Sequence, residues 1–147
     1  MDDYSLFLCQ LSAALFMTGL IWFVQVVHYP LFAQVGAAES IVYAQRHQSR
    51  TTWVVAPPMF IELLAAAALV VHHPQRLTRW PDLTALALLA VIWCSTAWVQ
   101  VPLHRRLLSG RDDAVIRRLV RTNWVRTAAW TLRAAILLSQ LPQGVVT

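Results

Sequence analysis

A small set of polar residues falls within or beside long apolar runs of this chain, and their spacing is helical. Gln25 and His28 lie three residues apart, while Thr96, Gln100 and His104 are spaced by four, so each set shares one helix face. Asn123, Thr127 and Thr131 repeat the spacing of four, with Arg126 beside them. Lone polar groups in apolar helices are costly and turn towards an interior or a cavity. The candidate catalytic groups are His28 and His104, as acid/base groups or ligands, and Arg126, which suits a developing oxyanion. Gln25, Gln100 and Asn123 are the candidate orienting groups for a substrate, and Trp124 offers an aromatic wall.

Three chemistries fit the histidines. Neutral imidazoles projected from facing helices ligate a transition metal or haem. As acid/base groups they engage a phenolic or quinone-like ligand. As structural residues they bond loop backbone at an interface. His47 is placed to join His28 and His104, and three is a plausible metal count. No recognised metal spacing accompanies them, and Glu39 is the nearest acid.

Glu62 and Arg133 are the charges deepest in the apolar runs. Each lies about 15 Å along its helix, near mid-depth. An ion pair between them is expected, since either charge alone would be stranded in a low-dielectric interior. A proton-relay role for Glu62 is the sharper alternative.

The elements that must position these groups are helices. Of the 147 residues, 58% are hydrophobic and 13% charged, a balance unlike that of soluble domains. Four apolar stretches, at about residues 6–28, 52–72, 83–102 and 123–141, are each long enough to cross roughly 30 Å of hydrocarbon. They carry isolated polar residues where a soluble bundle needs a continuous polar stripe. The expectation is a single all-α domain over 1–147, an integral membrane four-helix bundle.

Arginines cluster between the first and second stretches (Arg46, Arg50) and between the third and fourth (Arg105, Arg106, Arg111, Arg117, Arg118, Arg121). The positive-inside rule places those loops in the cytoplasm and both termini outside it, in a bacterial inner membrane. The acidic start does not suit a cleaved secretory signal. The net charge of +5 is explained by topology and anionic lipid, so no nucleic-acid partner is expected. A short amphipathic helix is expected at about 37–48, and an acid-capped helix from Asp112 and Asp113 that runs on towards the fourth stretch. Cys9 and Cys94 fall at depths about 13 Å apart, too far for a disulfide.

Arg50-Thr51-Thr52-Trp53-Val54 recurs 71 residues later as Arg121-Thr122-Asn123-Trp124-Val125. Trp22 and His28 recur 76 residues later as Trp98 and His104. A repeat holding two spans returns to the side on which it began, so two parallel pseudo-symmetric hairpins are expected, related by an axis along the membrane normal. Thr52/Asn123, Val55/Arg126 and Glu62/Arg133 break that symmetry, which leans a pocket towards the fourth helix.

The run Gln100-Val101-Pro102-Leu103-His104-Arg105-Arg106-Leu107, then Asn123-Trp124-Val125-Arg126-Thr127, with His28-Tyr29-Pro30, resembles the small four-span membrane proteins of the anthrone-oxygenase-like family. His104 stands where that family usually has Asn. The resemblance implies the four-span fold, and oxidation of an aromatic substrate such as an anthrone. Two functions are therefore carried forward. One is an oxidoreductase-like enzyme acting on an aromatic or quinoid lipid-soluble molecule. The other is a non-catalytic subunit of a larger membrane complex or homo-oligomer.

Overall fold

The computed structural model describes residues 2–141. It comprises four long helices: α1 (Asp3–Phe32), α2 (Ser40–His72), α3 (Trp80–Leu107) and α4 (Asp113–Ser139). A 3-10 turn, Pro74–Thr78, joins α2 to α3. The helices alternate in direction. Asp3, His72 and His73 meet at one end, with Asp3 Oδ1 3.1 Å from His72 Nδ1 and Oδ2 2.5 Å from His73 Nε2. At the opposite end Arg111 bonds the carbonyls of Ala33, at 3.0 Å, and Val35, and its Nε reaches Asp113 at 2.8 Å. One side chain thus ties the α1–α2 connection to the start of α4.

The expected short helix at 37–48 is instead the first part of α2. No glycine or proline interrupts Ser40 to Val55, so the helix that begins at Ser40 has no reason to stop before the second apolar stretch. Even Pro57 and Pro58 lie inside it. At α4 the acidic cap is present: Asp112 Oδ1 accepts from the amides of Ala114, at 2.8 Å, and Val115, at 3.0 Å. Gly110, with φ of +145, makes the turn before it.

Helices α1 and α3 each contain one π turn, Val24–His28 and Thr96–Gln100. In each, a proline, Pro30 or Pro102, lies two residues beyond the turn. Proline has no N–H to give and its ring presses on the carbonyl four residues back. The helix widens there, and the amides of Tyr29 and Val101 bond five residues back to Val24 and Thr96. The two π turns are 72 residues apart, not 76. In their register His28 corresponds to Gln100, and His104 to Phe32.

Three helices, α1, α2 and α3, are long and apolar enough to cross a membrane. The fourth expected apolar stretch lies in α4, which is not among them. Asn123, Arg126, Thr127, Thr131 and Arg133 interrupt its apolar run, and all except Thr131 are buried. Amides and charges are thus buried beside an apolar core, while many large apolar side chains lie on the outside. Gln10, Gln25, Glu62, Gln100 and Arg133 are inside, whereas Phe16, Phe23, Leu64 and Val71 are outside. Of the most exposed tryptophans, Trp80 opens α3, Trp98 lies within its π turn, and Trp53 lies inside α2.

Helix α1 packs against α2 and α4, and α4 packs against α3. The backbones of α2 and of the Trp80–Ser95 part of α3 stay apart, and Phe60 meets Trp93 edge-to-face across that seam at 5.2 Å. Arg133 holds all four helices together. Its Nε donates to Glu62 Oε1 on α2 at 2.5 Å, one Nη to the Ala85 carbonyl on α3, and the other to Gln10 Oε1 on α1 at 3.1 Å. Trp130 Nε1 donates to the second Glu62 oxygen at 3.1 Å. Both charges are completely buried, and every partner is supplied locally. Cys9 and Cys94 are free thiols.

Candidate functional site

The π turns decide which residues meet. In an α-helix residues four apart share a face, but one π turn brings residues five apart into line. Val24 and Tyr29 on α1, and Thr96 and Val101 on α3, are such pairs, and all four line one cavity of about 130 Å³. Gln100 and His104 continue the α3 wall. His47, Gln48, Thr51, Thr52 and Val55 supply the α2 wall, Met17, Leu20 and Ile21 the apolar part, and Arg126 comes from α4. The cavity faces the α2–α3 seam through the exposed Thr52 and half-buried Thr96 and Val101.

Arg126 is 6% exposed and enters no ion pair with a carboxylate among the described residues. Its Nη1 donates to Asn123 Oδ1 at 3.2 Å, and its Cζ lies over the Trp130 ring, 5.0 Å from the centroid. Its Nε is buried and has no partner among the described residues. Behind it runs a line of amides. Asn123 Nδ2 donates to Gln25 Oε1 at 2.9 Å, and Gln25 Nε2 to the Val120 carbonyl at 3.2 Å. These bonds fix the guanidinium plane. Gln100 Nε2 donates to Thr122 Oγ1 at 3.1 Å, and its Oε1 is buried with no partner among the described residues. The cavity wall thus holds a guanidinium and an amide whose hydrogen-bonding capacity is not fully used within the bundle, groups that a ligand with both an acceptor and a donor would suit.

The three histidines come together. His104 Nε2 is 3.1 Å from the Tyr29 hydroxyl, and His47 Nδ1 is 2.9 Å from His28 Nε2 and 3.2 Å from Thr51 Oγ1. The His47 and His104 ring centroids are 5.3 Å apart. A hydrogen bond between two ring nitrogens needs one of them to accept, so at least one of His28 and His47 is neutral. That pair, with ring centroids 4.5 Å apart, shares one N–H···N bond, which uses one ring's lone pair and leaves at most one of the two neutral rings free to bind a metal. Among the described residues no group of three His, Cys, Asp or Glu side chains is placed to hold a metal ion. A haem fits no better, because two of its candidate ligands bond each other and the cavity is far smaller than a porphyrin.

Of the residues expected to contact a substrate, Gln100 does face the cavity, as do His104 and Arg126. Gln25 and Asn123 stand behind Arg126 and orient it, and His28 stands behind His47. Trp124 is elsewhere: 47% exposed, it meets Trp22 edge-to-face at 5.6 Å on the bundle's outside. Sequence reasoning missed Tyr29, Thr51, Thr52 and Gln48. His47, Thr51 and Val55 are spaced by four, a signal available once α2 is continuous. Tyr29 had no such signal, because only the π turn rotates it inward.

The fold and site together define an all-helical bundle with three candidate membrane spans and a polar cavity at one end. Compared with protein-family models, with curated proteins and with solved structures, the chain matches none.

Proposed function

We propose that the chain is a four-span inner-membrane protein, built from a duplicated hairpin with both termini outside the cytoplasm, that binds a single-ring phenolic or quinoid lipid-soluble molecule. The inverted polarity of α4 supports the fourth span: Trp124, Val125, Leu132 and Leu138 face outward while Asn123, Arg126, Thr127 and Arg133 face inward. The common 72-residue spacing of the π turns and of Pro30 and Pro102 supports the duplication.

The observation that carries the ligand class is the buried Arg126 guanidinium, in no ion pair among the described residues, on the wall of a cavity lined also by apolar groups, imidazoles, a phenol, threonines and amides. A buried guanidinium without a carboxylate favours an oxygen that is anionic or becomes so. A cavity of about 130 Å³ holds the equivalent of about four waters at roughly 30 Å³ each. It accepts one ring, and an apolar tail leaves through the α2–α3 seam into lipid. The fused rings of an anthrone exceed it, so the likeness to the anthrone-oxygenase-like family bears here on fold and on aromatic chemistry, not on that substrate.

Within the cavity the Arg126 guanidinium holds the ring oxygen and the Gln100 amide orients the ring. His104, bonded to Tyr29, is placed to accept one hydroxyl proton of the ring while Arg126 stabilises the phenolate that remains. Mass spectrometry of organic extracts tests the reading: a phenolic or quinoid compound should accompany the purified protein and be absent from Arg126→Gln. Extracts identical for both proteins overturn it.

A second reading, a non-catalytic subunit, is favoured by the unpaired aromatic surface of Trp53, Trp80 and Trp98. Stable recovery with other membrane subunits, together with an empty extract, selects it.

A further inference from the structure

A second cavity, of about 110 Å³, lies on the outside of the bundle between α3 and α4, away from the histidines. Trp98, Val99, Pro102 and Leu103 form its apolar side, and Arg106 and Arg118 its cationic rim. The π turn and Pro102 shape this wall as they shape the inner one: Trp98 lies within the widened turn and is 75% exposed. Arg106 comes from the last turn of α3, Arg118 from the second turn of α4, and neither enters an ion pair among the described residues. An apolar wall capped by two guanidiniums that form no ion pair among the described residues, beside the exposed indole of the π turn, matches the chemistry of one amphiphile: acyl chain along Trp98 and Pro102, phosphate between the arginines.

We infer that the Trp98–Pro102–Arg106–Arg118 groove is a binding site for the phosphate headgroup of an anionic phospholipid from the leaflet on the arginine-rich side. It is separate from the inner cavity, so it stands or falls independently of the quinoid reading. The alternation of basic loops would attract anionic lipid diffusely through Arg105, Arg111, Arg117 and Arg121 as well. The groove adds two arginines from different helices converging on one cavity, which gives a defined stoichiometry and geometry.

Native mass spectrometry of the intact chain from micelles doped with phosphatidylglycerol or phosphatidylcholine reads the site directly. One phosphatidylglycerol should be retained in preference to phosphatidylcholine. The double variant Arg106→Gln/Arg118→Gln removes both charge-assisted contacts and should weaken that retention by more than about tenfold, the scale of one such contact. Arg105→Gln/Arg117→Gln removes the same charge outside the groove and should stay within about twofold of the parent, below the effect of one such contact. Trp98→Ala should weaken lipid retention while leaving circular dichroism unchanged. Equal losses in both double variants, equal retention of the two lipids, or displacement by millimolar inorganic phosphate alone would overturn the assignment.

Discussion

The guanidinium of Arg126 lies 5.0 Å over the centre of the Trp130 ring, and the same indole donates its N–H to Glu62 at 3.1 Å. One fully buried side chain therefore connects the cavity to the ion pair that holds the four helices together. The indole face carries partial negative charge, so Arg126 is stabilised there without a carboxylate. That leaves the guanidinium, on the cavity wall, free to meet a ligand oxygen.

Trp130→Phe keeps a ring under Arg126 and removes the donor to Glu62. Stranding one carboxylate oxygen should cost about 1–3 kcal/mol, read as a lower melting temperature in detergent. Unchanged melting would mean that Glu62 does not depend on the indole.

Glu62→Leu leaves the Arg133 guanidinium buried without its carboxylate. The expected loss is about 3–5 kcal/mol, and Glu62→Leu/Arg133→Leu should recover a large part of it, because two well-packed apolar side chains need no partner. A double-mutant cycle on denaturant unfolding checks this. A double variant as unstable as the sum of the singles would contradict a coupled pair.

The two histidines of the stacked pair should separate in their effects. His47 lines the cavity whereas His28 stands behind it. His47→Ala should weaken binding of an alkyl-tailed benzoquinol about tenfold, the scale of one lost ligand contact. His28→Phe preserves the stacking surface and should cost less than that. The reverse order would place His28, not His47, at the ligand.

Asp112→Ala removes the cap on α4, at a cost of about 1 kcal/mol, without touching the cavity. Melting should fall while benzoquinol affinity holds. A matching loss of affinity would show that the cavity depends on the α4 terminus.

Much of this arrangement is visible in the sequence, for identifiable reasons. The span-like helices follow from long apolar runs, and the Glu62–Arg133 pairing follows from the cost of leaving either charge alone. The meeting of His28, His47 and His104 follows from their position at one end of the bundle. What escaped notice traces to the π turns. An α-helical period places Thr96, Gln100 and His104 on one stripe but cannot bring Tyr29 or Val101 to the same cavity. The recurrence of Trp22 and His28 as Trp98 and His104 makes the two histidines equivalent at a spacing of 76, whereas the widened turns align at 72. Trp124 was misplaced for a different reason: adjacent to Asn123, it is rotated about 100° from it on a regular helix and so faces outward.

Isothermal calorimetry of the purified protein with an alkyl-tailed benzoquinol, for the parent chain and Arg126→Gln, is the most direct test of the central claim that Arg126 awaits an oxygen ligand. The parent should bind, and the variant, with its circular dichroism unchanged, should bind between about tenfold and about a hundredfold more weakly, the range for losing a hydrogen bond from a charged group. Equal affinities, or no binding by the parent chain, would contradict the account.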